Sequence, residues 1–277
     1  MKDLQKEYGR FLDFQAYKGR INPDFYLPEF AKKMGEIEHL LQERSHQTLL
    51  NGRNRIRVIP FPLSEGRSID IVVKEFFPKG LNRMKTILLP SKAAKAWRGG
   101  IALVERNLLT PVPVAYLEKR RILSVKENIY FSIHEKEAEE IRFLFRRSSS
   151  EELESLIRSL ARHLRRCHEK GILHRDLSDG NILVKTSVRG DYGFYLIDTN
   201  RIRVKRRLGF LKRIKNLTRL GVPKTCQRLF LLEYSLSGKV GRWTWIWYRS
   251  CKNAYVWHIR LKRSLYTSKG NAAGKLA

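Results

Sequence analysis

The spacing of apolar positions changes along the chain, and each change marks an element. Between Thr48 and Phe77 the apolar residues follow a strand-like pattern, with Ile56, Val58 and Ile59 in one run and Ile69, Ile71 and Val73 in the next. Residues 91–107 switch to helical spacing, with Ser91 placed as an N-cap. Thr110-Pro111-Val112-Pro113 then breaks the chain before a strand at 113–118 and another near 121–133. The clearest helix is predicted over 151–169. There Leu153, Leu156, Ile157, Leu160, Leu164 and Cys167 share one face, Ser149 and Glu152 have capping-box spacing, and Gly171 is a natural stop. Residues 1–47 are charged and mixed, with Pro23 and Pro28 interrupting any long helix. The pattern predicts an α+β chain: an N-terminal extension over 1–47, a β-rich lobe over 48–133, a small, mainly helical lobe over 134–267, and a disordered tail over 268–277. The segment around Ser132–Glu137 is expected to join the lobes.

The chemistry concentrates in Ile172–Val184. An apolar strand enters a polar loop carrying His174, Arg175, Asp176 and Asn181, and a second apolar strand leaves it. That order matches the H-R-D-L-x-x-x-N catalytic loop of protein-kinase-like enzymes. Phosphoryl transfer needs a carboxylate at the attacking hydroxyl and an amide oxygen on the metal that holds the nucleotide phosphates. Taken alone the loop is equally a polar turn with a core histidine, so the other kinase parts must occur in order. Phe194-Tyr195-Leu196-Ile197-Asp198 is an apolar strand ending in an acid, as before D-F-G, though the triplet is Asp198-Thr199-Asn200. Upstream, Ile69 to Phe76 resembles the strand of the phosphate-binding lysine, here Lys74. As isolated features, Lys74 reads as an edge-strand lysine and Asp198 as a turn residue. Lysine, loop and metal acid in this order imply a bilobal protein-kinase-like fold. Gly52-Arg53-Asn54 falls where a phosphate-covering loop would lie, and an ordinary hairpin turn explains it equally well.

Composition sets the class. The 277 residues are 42% hydrophobic and 10% aromatic, which describes a folded protein with one bilobal core or two small ones. Against 27 acids stand 56 Lys and Arg, for a net charge of +29, so the surface attracts polyanions. The N-terminus lacks the apolar core of a signal peptide, and no uncharged apolar run reaches membrane-span length. Three widely spaced cysteines suit a reducing cytosol. The chain is therefore expected in the cytoplasm, with peripheral contact to a membrane left open. His163, Cys167 and His168 on the 151–169 helix have no further clustered ligand, which argues against a zinc site.

With the strand lysine, the Thr-Pro-Val-Pro break, the His-Arg-Asp-x-x-x-x-Asn loop and Leu-Ile-Asp-Thr-Asn-Arg assembled, the chain resembles the bacterial lipopolysaccharide kinase family, the Kdo and core-heptose kinases. The resemblance covers roughly residues 48–235. It implies ATP-dependent phosphorylation of a sugar hydroxyl on the lipopolysaccharide inner core at the cytosolic membrane face, with Mg²⁺ or Mn²⁺. Asp176 matches the catalytic aspartate, Asn181 and Asp198 the metal ligands, and Lys74 the phosphate-binding lysine. His174 would brace the loop, and Arg175 would read a charged group on the activation segment or substrate. Where relatives carry Glu-Trp-Arg this chain has Ala96-Trp97-Arg98, which leaves Glu105, in another turn of the same predicted helix, as a candidate partner for Lys74. No A-P-E follows Asp198, against an ordinary eukaryotic-type protein kinase.

Residues 201–219 hold nine Lys and Arg and no acid, with Leu208, Phe210, Leu211, Ile214 and Leu217 interleaved. Such a stretch can lie on an anionic membrane surface, here that of a lipid-linked glycan substrate. Trp243, Trp245, Trp247, Tyr248, Tyr255 and Trp257 follow among Arg242, Arg249 and Lys252. They fit a membrane interface or the core of the second lobe about equally, with nucleic-acid binding third. Two other readings remain: a bacterial Ser/Thr-type protein kinase on the same fold, and a nucleotide-binding pseudokinase or membrane scaffold. A duplex-binding protein would leave the kinase motifs unexplained.

Overall fold

The computed structural model describes residues 8–273 apart from 15, 43–46, 52–53, 65–66 and 236–239. The chain forms two compact units, Met1–Ala138 with Tyr195–Ile202, and Glu139–Phe194 with Arg203–Ala277.

The first unit is built on one sheet. Its elements are β1 (Arg10–Asp13), β2 (Lys18–Ile21), α1 (Pro28–Gly35), α2 (Ile37–Leu40), β3 (Gln47–Asn51), β4 (Asn54–Ser64), β5 (Arg67–Phe76), α3 (Leu81–Leu88), α4 (Lys92–Val104), β6 (Pro113–Arg121) and β7 (Ser124–Ile133). The seven strands run in the order β1-β2-β6-β7-β5-β4-β3, each antiparallel to its neighbours. Alternation along β5 sorts its side chains between two cores. Ile71 and Val73 join Phe30, Met34 and Phe61 under α1, while Phe76 joins Ala93, Ala96 and Trp97 of α4. Each large side chain so buried contributes roughly 1.5–3 kcal/mol. Glu75, on the α1 side, is buried and ion-pairs with Arg57 at 3.3 Å. Burial raises the Glu75 carboxyl above its ordinary range, and Arg57 opposes the shift.

Of residues 1–47, the described ones contribute strands and core side chains to this unit. β1 and β2 add two strands beside β6, and Leu12, Tyr17 and Ile21 are buried in the larger core with the residues of α1. Four-residue strands are too short for their alternation to stand out.

The second unit comprises β8 (Glu139–Glu140), α5 (Ile141–Arg147), α6 (Ser150–Glu169), β9 (Ile172–His174), β10 (Ile182–Thr186), most of β11 (Tyr192–Leu196), most of β12 (Ile202–Val204), α7 (Phe210–Leu217), α8 (Gln227–Tyr234) and α9 (Arg242–Ala273). Its strands form small sheets, β11-β10-β8 and β12-β9. A reciprocal capping box between Ser149 and Glu152 starts α6, whose Leu156, Ile157, Leu160 and Leu164 are buried. Gly171 ends the following turn at φ +75, where a Cβ would also overlap the Lys205 carbonyl. α8 is tied to α6 by the Arg158–Glu233 ion pair and by Arg165, whose guanidinium donates to the Glu233 carbonyl at 3.0 Å. α9 runs through Ala273, and residues 274–277 of the tail lie outside the described residues.

Candidate active site

In the first unit, β5 presents Lys74 and Phe76 on the face that α4 covers. Lys74 Nζ donates to Asp198 Oδ1 at 2.6 Å, and each side chain is about a fifth exposed. Asp198 has left-handed backbone geometry, φ 54 and ψ 45, and opens a tight turn over Thr199–Arg201. Asn200 Nδ2 donates to Asp198 Oδ1 at 3.3 Å, and Arg201 Nε lies 3.8 Å from Oδ2.

That turn is fixed from both sides. Thr199 is buried, and its hydroxyl donates to the Ala96 carbonyl of α4 at 2.8 Å. A Cβ on Gly99 would overlap the Thr199 carbonyl, so glycine is what lets helix and turn approach this closely. Ahead of the turn, Leu196 N donates to the Leu109 carbonyl at 3.1 Å, and the Thr110 hydroxyl donates to the Leu196 carbonyl at 2.8 Å. The Thr-Pro-Val-Pro break therefore anchors the strand that delivers Asp198.

Glu105 does not serve Lys74. It caps the C-terminus of α4 and sits 3.5 Å from Arg106. Nine residues beyond Ala96 is two and a half helical turns, the opposite face and about 13–14 Å further along the axis. Lys74 pairs instead with Asp198. Gly52 lies outside the described residues.

In the second unit, β9 ends at His174, which is buried at 2% exposure. Its Nδ1 accepts from the Asp176 backbone N–H at 3.2 Å, so the ring turns the chain into the loop. Ser178 N donates to the Asp176 carbonyl at 2.9 Å, and Asn181 Nδ2 reaches the same oxygen at 2.7 Å. The Asn181 amide nitrogen is thereby used, leaving Oδ1 as its donor atom for a metal. Asp176 Oδ1 accepts from Arg219 Nη1 at 2.9 Å, with both side chains roughly two-fifths exposed. Arg175 is exposed and has no ion-pair partner among the described residues.

A buried polar chain holds this loop from beneath. The Tyr234 hydroxyl lies 2.7 Å from His168 Nδ1, and His168 Nε2 lies 3.0 Å from Asn216 Oδ1. Asn216 Nδ2 donates to the His174 carbonyl at 2.8 Å. Since Asn216 presents its oxygen, His168 carries its proton on Nε2 and accepts at Nδ1 from the tyrosine. Burial pushes the Tyr234 phenol up and the His168 imidazolium down to about 4, so both groups are neutral at pH 7. His163 is likewise lowered to about 4 by burial, and the adjacent Cys167 thiol is pushed up to about 12. Sequence reasoning missed Arg219, hidden in a run of nine cations, and missed Asn216, which lies 48 residues from His168.

Among the described residues no group of three or more His, Cys, Asp and Glu could hold a metal. One carboxylate and one amide oxygen suit a hard divalent cation that completes its shell with substrate phosphates and water. The Asp198 carboxylate in the first unit and the Asn181 amide oxygen in the second are each of a type that such a cation accepts.

The description "Lipopolysaccharide kinase (Kdo/WaaP) family" belongs to a family model that matches residues 102–226, somewhat under half of the chain. The match includes Asp176, Asn181, Asp198 and Arg219 but not Lys74. No curated protein matches the chain. Among solved structures, one described as WaaP in complex with acyl carrier protein is similar at 17% identity and TM-score 0.52, over 79% of this chain and 88% of that one. The resemblance to the lipopolysaccharide kinases is thus carried by sequence over the catalytic segment and by fold over most of the length, and the chain is a kinase of protein-kinase-like fold.

Proposed function

We propose that this kinase transfers the γ-phosphate of ATP to a sugar hydroxyl, Kdo or heptose, of the lipopolysaccharide inner core at the cytosolic membrane face. One observation carries the reading: the loop that orients Asp176 and Asn181 is complete within the segment matched by the lipopolysaccharide kinase model. Asp176 orients and deprotonates the sugar hydroxyl, and Lys74 binds the nucleotide phosphates. Asp198 and Asn181 are the residues that would ligate Mg²⁺ or Mn²⁺, each from its own unit, and the ion would supply positive charge to neutralise the transferred group. His174 positions the loop, and Arg175, exposed beside Asp176, is placed to meet an anionic acceptor.

The membrane contact rests on α7 and α9. Trp243, Ile246, Trp247, Trp257 and Leu261 lie along one exposed stripe of α9, with Trp243 81% and Trp257 66% exposed. Phe210 and Leu211 of α7 are exposed beside Arg206, Arg207 and Lys212, and Trp247 Nε1 donates to the Leu211 carbonyl at 3.4 Å. Indole rings among cations favour an anionic lipid interface. No helix among the described residues is long and apolar enough to cross a membrane, so contact would be peripheral.

The test incubates the purified chain with labelled ATP, Mg²⁺ or Mn²⁺ and lipid-linked inner core. Label should enter the glycolipid, and Asp176→Ala should reduce the rate by about 10²–10⁴-fold while nucleotide binding persists. Label on protein alone would favour a protein kinase. Nucleotide binding without any transfer would favour a pseudokinase.

A further inference from the structure

A cavity of about 670 Å³ opens within the first unit between the end of β5, α3 and the start of α4. Its volume lies in the range of small-molecule sites. Arg55, Lys79, Lys85, Lys92 and Lys95 line it, and among the described residues no Asp or Glu does. The sequence is consistent with this over a longer stretch, since no acid occurs between Glu75 and Glu105. Glu75 itself is buried against Arg57 and faces the other core.

Two features separate this from a solvated basic patch. Lys92 and Lys95 sit at the beginning of α4, whose first turn carries no acid, so their charges oppose the helix dipole and each other. A helix start built for stability alone would carry acids there. The Lys92 ammonium also lies 5.5 Å from the Phe76 ring centroid, the same distance as that of Lys74. One aromatic ring therefore carries both the phosphate-binding lysine and a lysine of the cavity wall, but Lys74 does not line the cavity.

We propose that this cavity is a second anion site, separate from the nucleotide phosphates at Lys74, that takes a ligand bearing two or more phosphate groups. Two phosphate monoesters carry about three to four negative charges at neutral pH, which five cations can balance. The ligand's phosphates could belong to a glycolipid headgroup or to a free phosphorylated metabolite. The inference goes beyond the kinase reading and is testable without transfer activity.

The probe is tripolyphosphate, titrated calorimetrically into the full chain at near-physiological salt. Lys92→Gln/Lys95→Gln should weaken binding at least tenfold. Arg121→Gln/Lys126→Gln removes the same charge from exposed positions elsewhere in the unit and should weaken it less than threefold. Lys74→Met should leave this binding step in place. Equal weakening by both double variants, or loss only in Lys74→Met, would overturn the site. If the first variant melts abnormally, Lys79→Gln/Lys85→Gln, both exposed, gives the same test. Glucose 1,6-bisphosphate and phosphatidylcholine vesicles doped with a bisphosphorylated glycolipid then identify the source. Lys92/Lys95-dependent binding to either upholds the site and names its preferred ligand, and binding to neither overturns it.

Discussion

Asp198 and Asp176 are both carboxylates paired with a cation, but they are held in opposite ways. Asp198 is about a fifth exposed, and its turn is clamped against α4 by backbone contact, with Gly99 and Ala96 meeting Thr199 directly. Asp176 is more than two-fifths exposed, and its loop rests on a relay of side chains from Tyr234 through His168 and Asn216 to the His174 carbonyl. The first arrangement fixes position by close packing, so the uncharged Ala96 of α4 supports the turn through its carbonyl. The second fixes position by hydrogen bonds whose donors and acceptors depend on a neutral imidazole. The turn at Asp198 is therefore robust, while the loop at Asp176 is sensitive to pH.

The contrast breaks most visibly at Gly99. On a helix with open space around it, Gly→Ala stabilises by about 1 kcal/mol. Here the added methyl meets the Thr199 carbonyl, so Gly99→Ala should reverse that sign and displace the turn carrying Asp198. Misplacement on the ångström scale costs about 10²-fold in rate. Steady-state kinetics and thermal melting of the variant check this together. A stabilised variant with near-normal kcat would show that α4 does not hold the turn.

The buried relay gives the next effect. The unfolded chain binds a proton on His168 near pH 6.5, whereas the native site resists protonation until about pH 4. Between these values the unfolded state carries more protons, so stability falls as pH falls through that window and is level above it. The shift is worth on the order of 3 kcal/mol. His163, also lowered to about 4, adds a contribution of the same sign. Denaturant unfolding from pH 7 to 4.5 should show the decline, and His168→Gln should flatten it by about one proton. An unchanged slope in the variant would remove His168 from the account of the loop's pH sensitivity.

Local chemistry made much of this legible in the sequence. The alternation in β5, the Ser149–Glu152 capping box and the Ser91 cap are short-range signals, and the His174–Asn181 loop closes on itself within a few residues. What could not be read depends on long separations. Lys74 and Asp198 lie 124 positions apart, and no spacing rule joins them. The sequence grouped His168 with His163 and Cys167 and did not name its partners, because Asn216 and Tyr234 reach it from other helices. The aromatic segment 243–257 serves both roles that its composition left open, interface and core. Trp243, Trp245 and Trp247 alternate as in a strand, yet α9 sends Trp243 and Trp247 outward and stacks Trp245 on buried Tyr248 with centroids 6.3 Å apart.

The smallest effect belongs to Arg219, and its smallness is what the contrast requires. Its guanidinium holds Asp176 Oδ1 at 2.9 Å and lies over the Tyr255 ring of α9, 5.6 Å from the centroid. Both charges are well solvated, so the pair should contribute less than about 1 kcal/mol to folding. Arg219→Gln should accordingly shift the melting temperature by no more than about 2–4 °C. Its effect on turnover should stay below about tenfold, because the loop's position comes from His174 and Asn216 and the carboxylate itself remains. Nucleotide affinity, which the proposed function assigns to Lys74, should not move. A loss of several kcal/mol on melting would mean that Arg219 braces the loop structurally. The catalytic loop would then depend on charge and not on the neutral relay beneath it, and the distinction from the clamped turn at Asp198 would disappear.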